Sequence, residues 1–142
     1  MFMLKKEETA LLVIDMQYGG GAPDGSLVKM LNVDVTKQED IVTPIIKLKD
    51  FFNENNMLVV NVKTEYEEDF SDWEMLSKRF EVKKYGHFIK GSPDAEIIPP
   101  LAPREEEKLI IKNRWNAFFN TKLDELLKER NIKNLVIVGA AT

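Results

Sequence analysis

The sequence of 142 residues contains no cysteine and a single histidine, His87. Without thiols it can form no disulfide, no thiolate metal site and, within these residues, no thiol nucleophile. One histidine excludes a multi-histidine metal site, so no metal is expected. No apolar run approaches the ~18 residues that cross a bilayer, and Met1 to Lys6 lacks the apolar core of a secretory signal. A cytoplasmic protein with no membrane partner is expected. Charge of one sign is scarce as well: 20 Lys and Arg against 24 Asp and Glu leave a net −4, which gives no basic footprint for nucleic acid. The remaining partners are small molecules and further copies of the chain, so a homo-oligomer is expected. Length and a 44% hydrophobic content suit one globular domain.

Four brief apolar runs punctuate the chain: Ala10 to Ile14, Met57 to Val62, Leu109 to Ile111 and Leu135 to Val138. They are rich in β-branched residues and nearly continuous, the pattern of strands covered on both faces in a parallel sheet. Between the first two, Asp40 or Thr43 can cap a helix with Pro44 in its first turn, and Ile41, Ile45, Leu48 and Phe52 form its apolar stripe up to Asn55 and Asn56. A second helix opens at Thr121, buries Leu123, Leu126 and Leu127, and stops at Asn131. The alternation predicts an α/β fold, three layers αβα around a mainly parallel sheet.

Two irregular stretches interrupt this alternation. Tyr18 to Ser26 holds four of the seven glycines, and the expectation is a flexible loop without helix. It matches no phosphate-binding glycine pattern, so a flavodoxin-like or nucleotide-binding module has only this loop in its favour. Glu65 to Lys84 is charged with interspersed aromatics, and a short amphipathic helix is expected near Ser71 to Phe80. It would serve as core, oligomer contact or lid. Pro93, Pro99, Pro100 and Pro103 mark a surface loop before the third strand.

In open parallel sheets the functional crevice lies at the carboxyl ends of the strands. Those ends carry Asp15, then Lys63 and Thr64, then Lys112, then Gly139 to Thr142. An acid directly after Leu11 to Ile14 is expected to be partly buried and to need a cation, which Lys112 can supply. The pair reads equally as a catalytic or a structural ion pair. Small residues at 139–142 can aim backbone N–H groups at developing negative charge, or simply pack. His87 reads as solvated or locally hydrogen-bonded, and Glu105 to Glu107 and Lys128 to Arg130 as solvated charge runs.

Taken together, TALLVIDMQ (Thr9 to Gln17), GSPDAEIIPPLAPR (Gly91 to Arg104), IIKNRWNAFFNTKLDELL (Ile110 to Leu127) and NLVIVGAAT (Asn134 to Thr142) resemble, in order, four segments of the isochorismatase-like cysteine hydrolases. That superfamily includes nicotinamidases, N-carbamoylsarcosine amidases and ureidoacrylate amidohydrolases. The resemblance implies a Rossmann-like topology and an aspartate, lysine and cysteine triad, with Asp15 and Lys112 as its first two members. It implies hydrolysis of a C–N bond through a thioester without a cofactor. It further implies a cis peptide between Ala140 and Ala141 beside an oxyanion hole, and a substrate pocket touched by Gln17, Trp115, Asn116 and Phe118.

Three departures qualify the resemblance. The family's GxATxxC pattern begins here at Gly139, which places the cysteine on the third residue beyond Thr142. Residues 1–142 are therefore expected to be a single domain cut off before its nucleophile and its last strands and helices, with an inactive binding or oligomerisation module as the alternative. Stopping there would leave the fourth strand a bare, apolar edge. Lys63, Thr64, Glu65 and Tyr66 occupy the region where nicotinamidases place metal ligands, which speaks against such a site. Asn116 replaces a serine frequent in the family, leaving the substrate open.

Overall fold

The computed structural model describes residues 4–32, 34–72 and 87–140. Strands β1 (Thr9–Ile14), β2 (Leu58–Thr64), β3 (Lys108–Lys112) and β4 (Asn134–Gly139) form one sheet in the order β3-β2-β1-β4, with every neighbouring pair parallel. Helices α1 (Tyr18–Gly21), α2 (Ser26–Leu31), α3 (Gln38–Glu54) and α4 (Leu123–Glu129) connect them, with tight single turns at Lys6–Glu8, Pro93–Ala95 and Pro99–Leu101. The α/β fold expected from the apolar runs is the one observed, and each strand extends a residue or two past its run.

Alternation along β1 explains the two cores. Leu11 and Val13 pack with Val59, Ile45 and Phe52 under α3, whereas Ala10 and Leu12 pack with Val60, Val62, Leu123 and Leu127 under α4. Both faces of the central strands are thus removed from water, the main source of stability for such a sheet. At β4 the covering is one-sided. Val136 and Val138 join the α3 core, but Leu135 and Ile137 on the opposite face are exposed, Ile137 to 53%. Among the described residues β4 is thus an outer strand of the sheet with one apolar face exposed.

Three local expectations require correction. The helix α3 begins at Gln38, so Pro44 lies in its second turn, where the missing N–H removes one internal bond. Its buried face includes Lys49 in addition to Ile45 and Phe52. Tyr18 to Ser26 is not a loop without helix but the short helix α1, a turn at 22–25 and the start of α2. The glycines serve close packing there: a side chain on Gly19 would collide with the Asp94 carboxylate, and one on Gly25 with the Gly19 carbonyl. Glu107 belongs to no solvated run. It is buried, paired with Lys49 at 3.0 Å and bonded by Asn53 and Asn61, each at 2.8 Å. Lys49 also donates to the Leu101 carbonyl at 2.8 Å, so both buried charges are satisfied. The amphipathic helix expected near Ser71 to Phe80 falls almost wholly outside the described residues.

Candidate active site

Register alone assembles the site. Ile14 pairs with Val62 and Gly139, and Thr64 with Lys112, so all four strands end along one rim of the sheet. Asp15 is the first residue past β1. Its φ of 55° is left-handed, a conformation that Asp and Asn tolerate better than most residues. This turn ends the strand while its N–H still donates to the Val62 carbonyl at 2.9 Å.

The carboxylate meets two partners. Lys112 Nζ lies 2.9 Å from Asp15 Oδ2, and the Thr64 hydroxyl donates to Asp15 Oδ1 at 2.9 Å. Lys112 in turn donates to Thr64 Oγ1 at 2.9 Å, closing a triangle. Exposure divides these groups: the Lys112 side chain is 4% exposed and that of Asp15 30%. Asp15 borders a cavity of about 230 Å³ whose wall also includes Met16, Gln17, Gly20, Ile41 and Ala140. Lys112 borders a second one of about 260 Å³, beside Tyr66 and Asn113. Burial, and then the negative charges of Asp15 and Asp72, push the Tyr66 phenol up to about 12.

Gln17 reaches the cavity wall but is buried, and its amide is fully engaged with Thr64 and Ala95. Ala140 borders the same cavity, yet its N–H donates to the Ile14 carbonyl at 3.1 Å and so is not free as an oxyanion donor. Ala141, and with it the expected cis peptide, lies outside the described residues. Trp115, Asn116 and Phe118 border neither cavity. In the turns of residues 113–120 Ala117 is the residue that enters the core, which leaves Trp115 79% exposed and Phe118 beside it at the surface. Asn116 Oδ1 accepts the Phe118 N–H at 2.9 Å, capping that turn. Lys63, near the end of β2, is paired with Glu65 at 2.6 Å and Glu96 at 3.2 Å.

Two features escape sequence reading. Thr64 is recognisable as a strand-end residue, but its bridging role depends on the β2–β3 register. His87 is buried rather than solvated, with Nδ1 2.7 Å from the hydroxyl of Ser26, 61 positions away. Ser26 also donates to Asp94 at 2.5 Å. No local pattern announces a contact of that separation.

The family model described as the isochorismatase domain matches residues 9–142. The chain belongs to this family. Among curated relatives, the ureidoacrylate amidohydrolase RutB of Agrobacterium fabrum is 30% identical, the match covering 98% of this chain and 66% of the relative. An Arabidopsis thaliana protein named as a probable inactive nicotinamidase is 32% identical over 94% of this chain and 66% of its own length. Among solved structures, a cysteine hydrolase from Pseudomonas syringae superposes with a TM-score of 0.85 at 27% identity, covering 99% of this chain and 63% of that one. This isochorismatase-family chain thus spans just under two thirds of the length of these relatives. The resemblance carried by its four sequence segments is the family assignment itself, and the fold is that of the structural neighbours.

Proposed function

We propose that Asp15 and Lys112 are the acid–base half of a cysteine-hydrolase site that cleaves the C–N bond of a small amide or carbamoyl compound. The observation that carries this reading is the 2.9 Å contact between Lys112 and Asp15, with Asp15 open to a cavity that Ala140 also borders. The family pattern puts the nucleophilic cysteine on the third residue beyond Thr142, close in sequence to that wall. Residues 1–142 are then the part of one longer domain that precedes the nucleophile.

In this chemistry the thiol passes its proton to Asp15, and the sulfur bonds to the substrate's carbonyl carbon. The C–N bond breaks as the nitrogen takes up that proton, leaving a thioester. Water then attacks the acyl carbon, gives a proton to Asp15 and releases the acid, and the departing sulfur recovers the proton. Lys112 holds the carboxylate in place throughout. Nothing in these steps calls for a cofactor.

The test is a screen of the complete polypeptide against primary amides and carbamoyl compounds, with ammonia release as the first readout. Hydrolysis that disappears when the cysteine is alkylated supports the reading. A second reading, an inactive module for binding or oligomerisation, is favoured by the relative named as probably inactive. It predicts a complete polypeptide that binds small ligands and hydrolyses none.

A further inference from the structure

We propose that Thr64 is a positioning residue for the Asp15–Lys112 pair: its hydroxyl sets their separation, and Gln17 clamps its backbone. The inference rests on the reading of that pair as the functional one. Thr64 is buried and borders neither cavity, so it does not meet a ligand itself and acts only through its two neighbours.

A hydroxyl offers one proton and two lone pairs. Here the proton goes to Asp15 Oδ1, and a lone pair accepts from Lys112, both at 2.9 Å. Together with the direct Lys112 contact to Asp15 Oδ2, each carboxylate oxygen has its own donor on the protein side. The carboxylate cannot rotate without breaking one of them. Threonine suits the position because branching at Cβ restricts χ1, so the hydroxyl direction follows from the backbone.

That backbone is itself fixed. Gln17 Oε1 accepts the Thr64 N–H at 2.8 Å, and Gln17 Nε2 donates to the Thr64 carbonyl and the Ala95 carbonyl, both at 2.7 Å. Gln17 stands two residues after Asp15, so the segment that carries the acid also grips the residue that orients it. Valine has the shape of threonine without the hydroxyl. A role in packing alone would survive Thr64→Val, whereas a positioning role would not.

The test is the solvent-exchange rate of the Lys112 ammonium hydrogens, followed by heteronuclear NMR in the complete polypeptide as wild type, Thr64→Val and Thr64→Ser. Loss of a hydrogen bond to a charged group should speed exchange about tenfold or more in Thr64→Val. Thr64→Ser, which keeps the hydroxyl, should stay near wild type. An unchanged rate in Thr64→Val with a native amide fingerprint overturns the proposal, as does equal acceleration in both variants. If Thr64→Val does not fold, Thr64→Ala replaces it in the same comparison. This readout needs no turnover, so failure of the hydrolase reading and failure of the positioning role are separable. In a complete, active enzyme the same variant should lower kcat at unchanged KM.

Discussion

The side-chain amide of Gln17 pairs with both the N–H and the carbonyl of Thr64, at 2.8 and 2.7 Å, as a neighbouring strand would. The chain has left β1 by then and turned through the left-handed Asp15. Gln17 therefore extends the β1–β2 pairing past the end of the strand and ties the rim that carries Asp15, Thr64 and Lys112 to the sheet beneath it.

Asp15→Asn is predicted to leave the fold intact and to remove turnover from the complete enzyme. Asparagine accepts the left-handed backbone at position 15 and nearly the same volume, but its amide cannot take the thiol proton. The expected loss is about 10²-fold to 10⁴-fold in kcat, the usual share of a general base. A matched thermal melt checks the fold, and wild-type turnover would remove Asp15 from the mechanism.

Gly139→Ala should damage the rim from the other side. Gly139 has a φ of 144°, and a side chain there would run into the Ile14 carbonyl. The β1–β4 ladder must part at the residue pair next to Asp15. Faster amide exchange at Ala140, whose N–H donates to that carbonyl, is the expected signature.

Lys49→Met is expected to destabilise the fold by about 3–5 kcal/mol in urea denaturation, because it leaves Glu107 buried without its cation. Burial pushes the Glu107 carboxyl up, but bonds from Asn53, Asn61 and Lys49 outweigh it and hold the group below its ordinary 4.5. The folded value lies beneath the unfolded one, so the group's stabilisation is present above pH 4.5 and is lost as pH falls through the folded value. Glu107→Gln should flatten the acid limb of the stability profile.

A separate step is predicted nearer neutrality. Burial lowers the His87 imidazole below its ordinary 6.5, against the opposing charge of Asp94. With Ser26 donating to Asp94, His87 Nδ1 carries the hydrogen and donates to Ser26, which suits the neutral ring. Stability from this group is full above pH 6.5 and falls away as pH drops through the folded value. His87 is the only histidine, so the fall in urea midpoint below about pH 6.5 should shrink in His87→Gln. An unchanged fall would assign it elsewhere.

What the sequence makes legible follows the range of the interaction. The strands are visible because burial on both faces demands continuous apolar runs, and Asp15 and Lys112 are visible because each follows such a run. Trp115 and Phe118 enter through the resemblance alone, and their place at the surface follows from the turn around Ala117, which no local pattern announces. The glycines of residues 19–25 mislead. Their low helix propensity gives no sign of the close packing of Gly19 on Asp94, a contact made across more than 60 positions. Lys49 and Glu107 look like surface charges until α3 and the turn before β3 are brought together.

Whether Asp15 is poised to activate a cysteine just beyond Thr142 can be read from the intact mass of the protein expressed from its complete coding sequence, after timed alkylation. A mass above 16.4 kDa, an adduct on the third residue after Thr142, and slower alkylation in Asp15→Asn are expected. A polypeptide of 16.4 kDa that takes up no label would contradict this role for Asp15, as would a cysteine whose alkylation ignores Asp15.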